Sequence, residues 1–285
     1  MDKKLITELK LDATRCRQNV LRMIQAGHHG HVGGALSAID IVTALYFYKM
    51  NIDPKDPKKA DRDRFILSAG HKCLCQYANL AEKGYFEKEV LDTYGSLLSH
   101  IPGHPDMHKL PGVEANTGAL GHGMAIGVGM AFGQRLSNNG AKTYVVLGDG
   151  EMAEGSTWEA AAVAAQYGLD NLVAFIDNNG LQISGPVKEI MNMGPFAERF
   201  KAFGWAVIDI DGNNMEEIVD VLDRLPLEPG KPTMVVAHTV KAKGLTIGEN
   251  NVAFHFWNPK EGEVETALAE LEEVAAGYEK ELRGE

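Results

Sequence analysis

An aspartate and an asparagine thirty residues apart, each closing a short apolar run, are the residues best placed to hold a charged ligand. Asp149 stands in Gly148-Asp149-Gly150 after the run 143–147, and Asn179 ends Asp177-Asn178-Asn179 after the run 172–176. One carboxylate, one amide oxygen and a free loop carbonyl, such as that of Leu181, are hard oxygen donors. They suit Mg²⁺ shared with phosphate oxygens better than zinc, which prefers nitrogen and sulfur. Gly148 and Gly150 let the backbone approach a diphosphate. Taken singly, each motif is an ordinary turn after a strand; their pairing at this distance is what points to a site. Four of the ten histidines, His31, His71, His104 and His255, lie on loops where an imidazole can work near neutral pH.

The elements that must position these groups follow from periodicity. Between the two apolar runs, 157–167 is nearly all Ala and Val on every side, which predicts a buried helix. Ser156 with Glu159 three residues on predicts a capping box, and Gly168 a left-handed end. Strand, crossover helix and strand make a right-handed parallel βαβ unit. Both strands then end at one sheet edge, the edge where open α/β sheets bind ligands.

Apolar spacing predicts an amphipathic helix over 4–25, a loop rich in glycine and histidine over 26–34, and a buried helix over 37–50. A strand over 64–68 leads to a turn carrying His71 and a helix to residue 83. Residues 97–118, broken by Pro102, Gly103, Pro105, Pro111 and Gly112, read as a long functional loop. The stretch 120–136 reads as a helix, with Gly127, Gly129 and Gly133 for close packing and Gly118 and Gly121 at a phosphate-favouring start. Helices over 195–203 and 215–224 alternate with strands over 205–210 and 233–238. Residues 242–259 are irregular, and a last helix buries Val264, Leu268, Leu271, Ala275 and Tyr278. This alternation predicts an α/β fold, a mostly parallel sheet flanked by helices on both faces. One domain over 1–285 is the simplest organisation.

The net charge of -11 argues against nucleic acid or an acidic membrane as partner. Three cysteines, Cys16, Cys73 and Cys75, fit a reducing cytoplasm without a disulfide framework. The amino terminus lacks the apolar stretch of a signal peptide, and no apolar run reaches the length of a membrane span.

The GDG pattern followed by Asn178-Asn179 closely resembles the thiamine diphosphate motif. GDGEMAEG with IDNNGLQISG further resembles the transketolase family, as do His31 in GHVGG, His71 in SAGH, His104 in PGHPD and His255 in ENNVAFH. These motifs occur in the family's order over nearly the whole chain. The resemblance implies the diphosphate-domain fold of thiamine enzymes. It implies that Asp149, Asn179 and the Leu181 carbonyl hold Mg²⁺, or Ca²⁺ or Mn²⁺, on the cofactor, and that His71, Gly118, Leu120 and Gly150 line the cofactor. His31, His104 and His255 would face substrate hydroxyls and move protons as a two-carbon ketol unit passes between sugars or sugar phosphates. Glu154 matches a carboxylate at the family's subunit interface.

Departures from the pattern bear on substrate more than cofactor. Val32 replaces a proline, Ala119 and His122 stand where Pro and Gln are frequent, and Phe256 stands where glycine is common. His28 and His29 add imidazoles beside the first loop, and Phe256 with Trp257 would narrow the mouth of the site. Whole family members are more than twice as long, with pyrimidine-binding and carboxyl-terminal domains. The resemblance therefore implies the amino-terminal subunit of a split transketolase, joined to a separate carboxyl-terminal chain in an α2β2 assembly. Rival readings are the α subunit of a 2-oxo acid dehydrogenase, a relative of deoxyxylulose-phosphate synthase, and a non-catalytic scaffold subunit.

Overall fold

The computed structural model describes residues 2–285. Helix α1 (Lys3–Gly27) opens the chain, capped by the Asp2 side chain on the Lys4 amide. It is buried well beyond the single stripe that periodicity predicts, because α10 packs along it and α3 and α4 cover other sides. Even Arg17 is buried, its guanidinium bidentate on Asp40 at 2.9 and 2.7 Å.

The predicted loop at 26–34 is shorter than its composition suggests. His28 adopts the left-handed conformation that ends α1, and α2 (Val32–Ser37) has already begun at Val32, so Gly33 and Gly34 are helical. The single helix expected over 37–50 is broken: α2 ends at Ser37, and α3 (Ile39–Ala44) and a wide turn over Leu45–Lys49 make up the rest.

Strand β1 (Arg64–Leu67) leads through a tight turn to α4 (Cys73–Lys83). No strand or α-helix lies between α4 and α5 (His122–Ser137), in keeping with the long loop predicted there. Strand β2 (Thr143–Gly148), α6 (Gly155–Gln166) and β3 (Leu172–Asn178) follow as the expected unit. A short hairpin, β4 (Leu181–Gln182) and β5 (Gly185–Pro186), then runs into α7 (Val187–Ile190). Next come α8 (Phe196–Ala202), β6 (Ala206–Asp211), α9 (Met215–Asp223), β7 (Thr233–His238) and α10 (Glu263–Arg283).

Five strands form one sheet in the order β1-β2-β3-β7-β6, and every neighbouring pair is parallel. Alternate side chains enter two cores. Phe65, Tyr144, Val146, Val173, Phe175 and Val235 join the face covered by α1, α3, α4, α9 and α10. Ile66, Val145, Leu147, Ala174, Ile176 and Val236 join the face under α5, α6 and α8. This is the period-two alternation of a sheet buried on both sides. All five carboxyl ends therefore point to one edge.

Three local expectations fail. Ser156 does not cap: it lies inside α6 and its hydroxyl donates to the Gly121 carbonyl, while Glu159 is exposed. Helix α6 is not buried all round, since only Thr157, Ala160, Ala161 and Ala164 face the core and Val163 is 43% exposed. Of the helix glycines, Gly127 does serve close packing, because an added Cβ would lie 2.5 Å from Val145 Cγ2. Gly129 and Gly133 face open space, with nothing within 4 Å of such a Cβ.

Candidate functional site

Four of the five strand ends each contribute one segment to a cavity of about 390 Å³. After β1 comes Ser68-Ala69-Gly70-His71-Lys72, and after β2 comes Asp149-Gly150-Glu151. Residues 179–183 follow β3, and Lys241 lies just after β7. Helix α2 and the loop before α5 close the sides with His31, His104, Gly118 and Leu120, and His255 completes the wall. All ten of the sequence-derived site residues thus line one cavity. A larger hollow of about 700 Å³ beside residues 178–198 shares Asn179 and Leu181 but holds none of the four histidines.

Asp149 and Asn179 do meet at adjacent strand ends. Gly148 is in register with Asp177, and the Asp149 amide donates to the Asp177 carbonyl at 3.3 Å. The Asp149 carboxylate accepts from the Gly150 and Gly180 amides at 2.8 and 2.6 Å. Burial, with the Asp177 carboxylate close by, pushes its pKa up to about 6. Lys72 only partly offsets these effects, and a divalent cation would supply the further positive charge such a carboxylate favours. Asn179 turns its amide nitrogen to Ser37 Oγ and Asp177 Oδ2, both at 3.2 Å, and its oxygen accepts from the Leu181 amide at 3.1 Å. The Leu181 carbonyl accepts from Lys241 Nζ at 2.9 Å, with a second lone pair left for a metal. No cluster of three or more His, Cys, Asp or Glu able to hold a metal occurs among the described residues. A donor set of one carboxylate, one amide and one carbonyl suits Mg²⁺ that completes its shell with phosphate oxygens and water.

Sequence reasoning missed the charged groups beneath these ligands. Asp177 is fully buried and accepts from Ser37 Oγ at 2.6 Å, from Lys72 Nζ at 2.5 Å, and from the Thr239 hydroxyl. It is this carboxylate that fixes which way the Asn179 amide faces. Glu151 accepts from Ser68 Oγ (2.5 Å), the Gly121 amide (2.9 Å) and the Gly148 amide (3.0 Å). It ties the ends of β1 and β2 to the start of α5. The only sequence signal for either was a third acid beside a motif already noted. Gly118 has φ 146°, and an added Cβ would sit 2.8 Å from His104 Cδ2. That position has room only for glycine, which brings the loop backbone against the histidine wall.

The four histidines form one cluster. His31 lies 5.3 Å from His71, 6.3 Å from His104 and 5.6 Å from His255 between ring centroids, and His71 stacks on His255 at 5.3 Å. Gly30 and Trp257 pair through two backbone hydrogen bonds, pinning the segment of His31 to the segment of His255. This bridge sets Phe256 edge-on to His31 at 4.9 Å and beside His29 at 5.5 Å, still 41% exposed. Trp257 does not shape the mouth as expected; it is buried against Phe254. Nor do all the imidazoles titrate near neutrality. Burial, Lys72 and the neighbouring rings hold His71 down to about 2. Burial, Lys241 and His31 hold His255 to about 3, and His31 is lowered mainly by burial.

These depressed values have a consequence for stability. An imidazole held neutral takes up its proton only on unfolding, so stability falls as pH drops below about 6.5. For His71 the loss between about pH 7 and 5 is roughly 2 kcal/mol; His255 adds less, because solvent reaches part of its ring. Asp149 opposes this, since the folded chain takes up its proton between about 6 and 3.8. Urea midpoints are expected to fall from about pH 7.5 to 5.5 in the native chain and to fall less in His71→Asn. Equal slopes in the two proteins would contradict the assignment.

A family profile described as "Transketolase, thiamine diphosphate binding domain" matches residues 9–272. The chain is 41% identical over 279 residues to one of the subunits of the apulose-4-phosphate transketolase of Phocaeicola vulgatus, covering 98% of this chain and 99% of that one. It is 40% identical over 269 residues to one of the subunits of a 6-deoxy-6-sulfo-D-fructose transketolase of Clostridium sp., covering 94% and 98%. The Pichia stipitis transketolase solved with sedoheptulose 7-phosphate superposes with a TM-score of 0.83 at 28% identity. That match covers 98% of this chain but spans only 45% of the solved one.

Proposed function

The chain belongs to the transketolase family through its thiamine diphosphate-binding domain, and from that premise we propose that it is the amino-terminal subunit of a split, thiamine diphosphate-dependent transketolase. The pair would move a two-carbon ketol unit from a ketose to an aldose. The observation that carries this is the single cavity that Asp149, Asn179 and Leu181 line together with His31, His71, His104 and His255.

Thiamine diphosphate, when bound, supplies the carbanion-stabilising chemistry by which the ketose carbon–carbon bond breaks and forms. The chain's own groups bind and orient. Asp149, Asn179 and the Leu181 carbonyl hold Mg²⁺, with Ca²⁺ or Mn²⁺ as substitutes of the same oxygen preference. His71, Gly118, Leu120 and Gly150 line the cofactor. His31, His104 and His255 face the sugar hydroxyls. Among the described residues, no ring nitrogen of His31, His71 or His104 has a hydrogen-bond partner, which leaves them for ligand oxygens.

The split reading rests on the two relatives that are named as subunits and are matched along nearly their whole length. The chain 1–285 is then one diphosphate domain, and the pyrimidine-binding and carboxyl-terminal domains belong to a partner chain, with α2β2 as the closed symmetric assembly. The exposed apolar faces of α5 and α6, including Gly129, Gly133 and Val163, support such pairing, and Glu154 lies beside them. Relatives named for apulose 4-phosphate and for a sulfonated fructose favour a specialised ketose over the usual pentose-phosphate sugars. Three buried free thiols favour the reducing cytoplasm, and no helix among the described residues is long and apolar enough to cross a membrane.

Co-purification with the partner and a screen of ketose donors against aldose acceptors tests the proposal. The pair is expected to transfer glycolaldehyde units with Mg²⁺ and cofactor, and the isolated chain to turn over nothing. Release of CO₂ from a 2-oxo acid without ketol transfer, or full activity of the single chain, would overturn it.

A further inference from the structure

Lys241 is 1% exposed and makes two contacts through one nitrogen. Its Nζ donates to the Leu181 carbonyl at 2.9 Å and lies 3.0 Å from His255 Nδ1. An ammonium has donors and no acceptor, so the imidazole nitrogen that meets it must accept and carry no proton. A neutral ring with Nδ1 as acceptor keeps its proton on Nε2. Double protonation is opposed by burial first, then by Lys241, His31 and Lys72, which together hold the ring's pKa low. His71 stacked on the ring and His31 edge-on beside it fix the ring's plane. Among the described residues, Nε2 has no hydrogen-bond partner, and His255 lines the cavity.

We propose that Lys241 is a positioning residue that locks His255 as the Nε2–H tautomer, so that His255 offers the substrate a hydrogen-bond donor and not a base. The tautomer follows from the contact with Lys241 as an ammonium; that the recipient is a hydroxyl or carbonyl oxygen of a sugar rests on the transketolase reading. His255 then grips an oxygen without exchanging its proton, and proton uptake falls to other groups in the cavity. Because the same Nζ holds the Leu181 carbonyl, the wall that meets the sugar is tied to the loop offered to the cation.

The test is a two-bond ¹H–¹⁵N correlation spectrum of the full chain labelled at histidine, with His255 assigned by His255→Gln. The native chain is expected to show a neutral ring protonated at Nε2 and unchanged from about pH 6 to about 7. Lys241→Met is expected to give mixed tautomers and a protonation midpoint moved up toward the ordinary value, and Lys241→Arg to restore the native pattern. In the assembled enzyme Lys241→Met should lower kcat about tenfold or more. A ring protonated at Nδ1 or at both nitrogens near pH 7, or a tautomer unmoved in Lys241→Met, overturns the proposal. If Lys241→Met does not fold, the native spectrum decides alone. Absence of ketol transfer by the native pair would refute the sugar reading and leave the spectrum to judge the tautomer.

Discussion

Asp149→Ala is expected to abolish the metal-dependent part of thiamine diphosphate binding while the unliganded chain stays folded. Its carboxylate is the only charged member of the proposed donor set, and the ion is shared with the diphosphate. Truncating one partner of a buried charge contact costs about 2–5 kcal/mol, so affinity in Mg²⁺ should fall by at least about 30-fold. The cost to the empty chain is small by comparison. Two backbone amides, of Gly150 and Gly180, lose an acceptor. Against that, a buried carboxylate already raised to about 6 by burial and by Asp177 no longer has to be accommodated. These effects oppose each other, and the net change should stay within about 1 kcal/mol. Calorimetric titration of the cofactor, partner present, with Mg²⁺ and then with chelator, measures the first quantity; a urea midpoint measures the second. Unaltered Mg²⁺-dependent affinity in the variant would remove Asp149 from the ligand set.

The sheet was legible because its strands are short runs that stop at turn residues, and burial on both faces keeps the interiors of β2, β3 and β7 apolar. The same simplicity misled at α6 and α5. A helix of alanine, valine and glycine looks buried on every side, yet composition says nothing about whether this chain or another supplies the cover. Val163, Gly129 and Gly133 face outward. The ligand pair Asp149 and Asn179 could be read because turn chemistry after parallel strands is local. The residues that orient the pair could not. Lys72, Asp177, Glu151 and Lys241 are charged residues next to turns, which in sequence look solvated, and each is buried only because distant segments converge on it. Histidine acidity was hidden for the same reason. The low pKa of His71 comes from its burial and from Lys72, and that of His255 from burial and Lys241, so neither follows from residue type.

Glu151 is the clearest case of a group whose importance lies in what it joins, and Glu151→Ala should destabilise the chain by roughly 3–5 kcal/mol. One oxygen holds the Ser68 hydroxyl and the Gly121 amide, and the other holds the Gly148 amide. These three donors come from the end of β1, the residue before α5 and the end of β2. Removing the carboxylate leaves them buried without an acceptor and takes a negative charge from beside Lys72, whose attraction partly offsets the burial that raises the Glu151 pKa. For a chain of this size the expected loss of melting temperature is on the order of 10 °C. Glu151→Gln separates charge from connection. One amide oxygen can still serve two donors, but its NH₂ must face the third, so roughly half the loss should return. Cofactor affinity should weaken in step, because Gly118–Gly121 and Gly148–Gly150 are the loops that this carboxylate holds against each other. If Glu151→Ala kept the native urea midpoint, the three contacts would have to be replaced by water at no cost, and Glu151 would be only a passenger beside Asp149.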